Sequence, residues 1–156
     1  MSVALSFSYD GLHRKSNGWL DPIKHLQMLI AAIDAANPKG EHDVIVSAIS
    51  FDIWNMPEYE RMLAWEVYKR ARLVLSRNAV EEHQNGAAWA IRMATEGAAA
   101  LGCEYLIHLA EDVLMANDFV EYFVKHLQDV DYVGTYWKDK ESLNTQVFAC
   151  KVKTRL

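Results

Sequence analysis

Four short apolar runs, at residues 3–9, 44–51, 73–76 and 105–109, are separated by segments in which apolar positions recur with a helical period. Few folds accept that alternation. Runs this short that are apolar almost throughout suit strands covered on both faces. Strands alternating with helices are joined by right-handed crossovers into a mainly parallel sheet. Local signals mark the helices. Asp21 and Pro22 supply an N-cap and a first-turn proline, and Ile23, Leu26, Ile30 and Ile33 line one face until Asn37, Pro38 and Gly40 stop the helix. Residues 58–70 form a second helix rich in large side chains, among them Tyr59, Met62, Trp65 and Tyr68. A third runs over 86–101 with Gly102 past its end, and Asn117 caps a fourth whose inward face is Val120, Phe123, Val124 and Leu127. Strands at 132–137 and 146–152 have no helix between them, so one of them is antiparallel. The expected architecture is a single α/β domain over 1–156, Rossmann-like. It has three α/β/α layers and a mainly parallel sheet, with an antiparallel strand near the C-terminus.

Composition narrows the function. A net charge of −5 argues against a nucleic-acid backbone as the main partner. No apolar run approaches the roughly 20 residues of a membrane span, and no charged and apolar leader opens the chain. Cys103 and Cys150 match no metal-ligand spacing and read as buried free thiols. Together these suit a cytoplasmic protein.

In such a sheet the loops that follow the parallel strands gather on one edge, where open α/β sheets bind ligands. Four of these loops carry polar groups. The first has Tyr9, Asp10 and Arg14, the second Asp52, and the third Arg77, Asn78 and Gly86. The fourth has Glu111 and Asp112, directly after the apolar run Tyr105, Leu106, Ile107, His108, Leu109. Two adjacent carboxylates after a buried strand repel each other unless a cation or hydrogen-bond donors lie near. Each group also has a plainer role. Asp10 with Gly11 makes a turn, Asp52 caps the approach to Asn55 and Pro57, and Asn85 with Gly86 starts a helix. A metal cluster of His108, Glu111 and Asp112, as in a metal-dependent hydrolase, is the competing arrangement. The alternation of strand side chains weighs against it and makes His108 a packed or hydrogen-bonded residue.

The segment 73–119 resembles the nucleotide-sugar-binding half of a GT-A glycosyltransferase. The likeness rests on Asn85, Gly86, Ala87, Ala88, Trp89 and Ala90, then on Gly102 through Tyr105 and the strand ending in Glu111 and Asp112, then on Asp118 and Phe119. The resemblance implies a glycosyltransferase using a nucleotide-diphosphate sugar, an unidentified acceptor and Mn²⁺ or Mg²⁺. Asp112 falls at the last acid of the family's DxD-type motif, the metal ligand, and Glu111 at its middle position. Ala110 stands where many relatives carry another acid. Ser8, Tyr9, Asp10, Arg14 and Asp52 would hold base and ribose, and Arg77, Asn78 and Gly86 would approach base or phosphates. Only 44 residues follow Asp112, which is short for an acceptor half. Asp139 and Glu141 are the base candidates there, and a second copy or a partner subunit is one way to complete the acceptor site. The alternative is a catalytically impaired nucleotide-binding or scaffold protein of the same fold.

Overall fold

The computed structural model describes residues 2–10, 21–49, 51–77, 83–110, 115–136 and 143–153. The element order is β1 (Val3–Asp10), α1 (Pro22–Ala36), β2 (Asp43–Ile49), a 3-10 turn (Ile53–Asn55), α2 (Glu58–Arg70), β3 (Leu73–Arg77), α3 (His83–Ala100), β4 (Tyr105–Ala110), α4 (Phe119–His126), β5 (Tyr132–Tyr136) and β6 (Leu143–Lys151). The strands form one six-stranded sheet in the order β3-β2-β1-β4-β6-β5. β1 pairs in parallel with β2 and β4, and β2 with β3. β6 runs antiparallel to both β4 and β5. The expected class is therefore the observed one, and the antiparallel strand is β6.

Period-2 alternation in β1 sorts its side chains between two cores. Leu5, Phe7 and Tyr9 face a large core with Leu26, Leu29 and Ile33 of α1, Ala64 and Val67 of α2, and Phe119, Val120 and Phe123 of α4. Ala4 faces a smaller core with Ile45, Leu106, and Ala94 and Ala98 of α3. Both sheet faces are covered, as the continuous apolar strands require.

Caps fix the helix ends. Asp21 accepts from the Ile23 amide at 2.8 Å, ahead of Pro22 at the first helical position. Past the other end of α1, the Asn37 side chain donates to His42 O at 3.0 Å and accepts from His42 N at 3.1 Å, holding the chain as it turns into β2. α3 closes with two bonds, Gly102 N to Ala99 O at 3.1 Å and Cys103 N to Ala98 O at 3.0 Å. This is a Schellman arrangement, and Gly102 takes the φ of +73° that it needs.

Several boundaries differ from the sequence expectation, among them three element starts. α3 begins at His83, so Asn85 lies inside its first turn rather than capping it, and Gly86 is its fourth residue rather than its first. A first turn has no preceding carbonyls to bond, so a poor helix former costs little there. The N-cap of α4 is Asp118, not Asn117, and β6 starts at Leu143, before Gln146.

α3 lies close to the sheet because its inward positions are small. A Cβ on Gly97 would stand 3.3 Å from Leu73 Cδ1 and 3.4 Å from Ile45 Cδ1. Gly97→Leu is therefore expected to lower stability by about 1–3 kcal/mol, seen as a lower urea midpoint. Gly97→Ala needs only those two methyl groups to shift and gains helix propensity, so it is expected to stay within about 1 kcal/mol of the parent.

Candidate functional site

The register brings the strand ends together. Asp10 of β1 lies opposite Ile49 of β2, and Ile49 opposite Arg77 of β3. Ser8 lies opposite Ala110, the last residue of β4. Sheet order runs from β1 through β2 to β3 on one side and to β4 on the other, so the crossover direction reverses between β1 and β4. Two loops leaving in opposite directions open a crevice at such a point. β5 runs in the direction of β4 and ends at the same edge.

The predicted residues fall into three groups. Ser8, Asp10 and Arg77 stand on the edge itself, and Gly86 is the fourth residue of α3, at its N-terminal end. The Arg77 guanidinium lies 5.7 Å from the centre of the Trp89 ring of α3, a cation–π contact that holds the end of β3 against that helix.

Tyr9 and Asp52 have their side chains occupied within the fold. The Tyr9 ring is 2 % exposed, stacked on His25 of α1 at 4.3 Å and edge-on to Phe51 at 5.4 Å. Asp52 caps the 3-10 turn, accepting from the Trp54 amide at 3.2 Å and from the Asn55 side-chain amide. The turn-capping role expected for Asp52 is thus present. The third group, Arg14, Asn78, Glu111, Asp112, Asp139 and Glu141, lies outside the described residues.

His108 is a packed strand residue, as its position in β4 predicts. It is 3 % exposed, its Nδ1 is 2.7 Å from Ser6 Oγ, and its ring stacks on Phe148 of β6 at 5.1 Å. Phe148 in turn stacks on Tyr132 at 5.5 Å. Tyr132 reaches it by leaning across Gly134, where a Cβ would lie 2.9 Å from the ring. Among the described residues, no three His, Cys, Asp or Glu side chains converge to hold a metal ion.

Ser6 and Ser47 are not among the residues that the sequence singles out. The alternation of β1 was the available signal, since it puts Ser6 and Ser8 on the face opposite Phe7 and Tyr9. Ser47 lies opposite Ser8, is 1 % exposed, and its hydroxyl has no hydrogen-bond partner among the described residues. Small side chains at Ser8, Ser47 and Ala110 thus form a row across three strands at the switch point.

The overall fold is shared with solved structures. A protein described as a nucleotide-diphospho-sugar transferase from Desulfovibrio desulfuricans G20 superposes with a TM-score of 0.61 at 11% identity, over 100% of this chain and 66% of its own. The fold is that of GT-A glycosyltransferases. The galactosyltransferase LgtC, solved with donor and acceptor sugar analogues, superposes with a TM-score of 0.52 at 15% identity, over 97% of this chain and 58% of its own. The chain therefore spans less than two thirds of the length of either GT-A structure. The sequence matches no family model, and comparison with curated proteins gives no match. Among the described residues, no helix is long and apolar enough to cross a membrane.

The Ser6–His108 bond joins β1 to β4 just inside the crevice of this GT-A sheet. Ser6→Ala leaves a buried imidazole nitrogen without this partner and is expected to cost about 1–3 kcal/mol, read from the thermal midpoint. Asp52→Ala removes only a turn cap and is expected to cost about 0.5–2 kcal/mol in the same measurement.

Proposed function

We propose that this chain binds a nucleotide-diphosphate sugar at the β1/β4 switch point and acts as a metal-dependent glycosyltransferase. The observation that carries the reading is the position of Ala110. It ends β4 at the crevice, opposite Ser8, and Glu111 and Asp112 follow it directly in the chain. Carboxylate oxygens are hard donors, the set that suits Mn²⁺ or Mg²⁺. Asp112 is the principal ligand on this reading and Glu111 the secondary one. When bound, such an ion offsets the charge that develops on the diphosphate as the sugar leaves.

The remaining roles belong to the chain itself. Asp10, Arg14 and Ser8 hold base and ribose, and Asp52 and Tyr9 fix the loops that carry them. Arg77, Asn78 and Gly86 at the N-terminal end of α3 face the phosphates, where a helix N-terminus favours negative charge. Asp139 or Glu141, which follow β5 in the chain, takes the proton of the acceptor hydroxyl. The fold shared with a galactosyltransferase supports the donor class.

Ala110 also supports a second reading. It is 9 % exposed and lies in the sheet, at a position where the resemblance leads one to expect an acid. A site with one carboxylate fewer fits a nucleotide-binding protein that does not turn over.

Calorimetry with a panel of nucleoside diphosphates, with and without Mn²⁺, tests the site. Metal-dependent binding to at least one is expected, and its absence for all of them overturns the proposal. Asp112→Asn is expected to weaken that binding by about tenfold or more, as loss of a metal ligand does, and Asp139→Asn to leave it nearly unchanged. Release of sugar from a bound donor, lost in Asp112→Ala, separates the transferase from the silent binder.

A further inference from the structure

Helix α2 is apolar on two opposite faces. Ala64 and Val67 are buried in the large core, with Leu63 and Tyr68 packed against it. On the opposite side Glu58, Met62, Trp65 and Lys69 follow one another at intervals of four, three and four residues, which places them in a single stripe. Met62 is 59 % exposed and Trp65 45 %, with Tyr59 at 54 % alongside. The turn before the helix carries Trp54, 77 % exposed. Arg61 holds that turn against the flank of α2, donating through Nε to Ile53 O at 3.1 Å and through Nη2 to Met56 O at 2.9 Å. Isolated exposed apolar side chains are ordinary on a protein surface, but Tyr59, Met62 and Trp65, three residues apart, are neighbours on one helix, with Trp54 exposed on the turn before it, and an exposed apolar patch marks an interface.

We propose that this face pairs with the same face of a second copy, the two α2 helices lying antiparallel about a two-fold axis between Met62 and Trp65. The charges select the partner and the direction. The stripe begins with an acid, Glu58, and ends with a base, Lys69, whose exposed side chain also reaches Glu66 at 2.8 Å. Antiparallel pairing sets Met62 on Trp65 of the second copy, and Glu58 against its Lys69, twice by symmetry. Parallel pairing would put Glu58 on Glu58 and Lys69 on Lys69. The Lys69 ammonium has three donors and can serve Glu66 and the second copy together.

Met62, Trp65 and Tyr59, each about half exposed, offer on the order of 300 Å² per copy. A standard interface covers about 800 Å² per partner. Trp54 and the charged flanks supply part of the rest, so the interface belongs to the small, transient class. The surface does not depend on the transferase reading.

Sedimentation equilibrium of the full chain, from low micromolar to sub-millimolar concentration, tests the pairing. A monomer–dimer equilibrium is expected, and Trp65→Glu should raise its dissociation constant by about tenfold or more, as loss of a central aromatic anchor does. Glu58→Lys and Lys69→Glu should each weaken it by roughly two- to fivefold, and the double exchange Glu58→Lys/Lys69→Glu should restore it. Circular dichroism melts confirm that these surface variants fold. A chain that stays monomeric overturns the proposal. So does association that Trp65→Glu leaves unchanged, or a double exchange as weak as both single changes combined. A monomer that co-sediments with phosphatidylcholine–phosphatidylglycerol vesicles would assign the stripe to a membrane surface and overturn it equally.

Discussion

Strand β1 hydrogen-bonds in parallel to β2 on one side and to β4 on the other, and the geometry of the candidate site follows from that double pairing. Parallel neighbours need crossovers, and right-handed crossovers leaving one strand in two directions put their helices on opposite faces of the sheet. Here α1 and α2 cover one face and α3 the other. β1 and β4 then end side by side at the point where the crossover direction reverses, with Ser8 opposite Ala110. β1 can occupy this place because both of its faces are already covered, with Leu5 and Phe7 fully buried in one core and Ala4 in the other.

The two layers achieve that burial differently. On the α1 and α2 side, large side chains meet large side chains, and Arg70 of α2 ties the helices together through Asp34 of α1 at 2.7 and 3.1 Å. On the α3 side, Ala94, Gly97 and Ala98 let the helix approach the sheet closely. A close helix brings its first turn, with amides that have no acceptor within the helix, towards the edge where Arg77 ends β3. The Arg77–Trp89 contact fastens the two together. The same small residues thus serve packing and the placement of a positive helix end.

The parallel strands and their helices were legible in the sequence because their signals are local. They comprise an apolar run of fixed length, the Asp21–Pro22 start and the Gly102 stop. The start of α3 was not legible, because Asn85 and Gly86 carry the composition of a cap while sitting among its first four residues, where their propensities hardly matter. Tyr9 ends the apolar run 3–9, and its spacing from Leu5 and Phe7 assigns its ring to the core face of β1, where it is buried. Asp52 was legible too. Its Asp-x-x-Asn spacing to Asn55 fits a self-capped turn, and the turn uses its carboxylate. The Ser6–His108 bond depends on which strands are neighbours, and no single stretch of sequence contains that information.

A division of labour emerges at this edge. The polar atoms of Asp52 and the Ser6–His108 pair are spent on holding a loop and two strands. The chemistry proposed above is left to groups beyond the last rungs of the ladder, above all Glu111 and Asp112. Adjacent carboxylates lower each other's tendency to ionise until positive charge arrives. On the proposed reading a divalent ion would supply that charge, and Glu111 and Asp112 would hold it together with the diphosphate. On that reading neither ligand is held strongly alone. Linkage then requires that whatever factor the metal adds to diphosphate affinity, the diphosphate adds to metal affinity. The fold contributes by ending β1 and β4 side by side, with Ser8 opposite Ala110, so that the residues that follow both strands leave from one place.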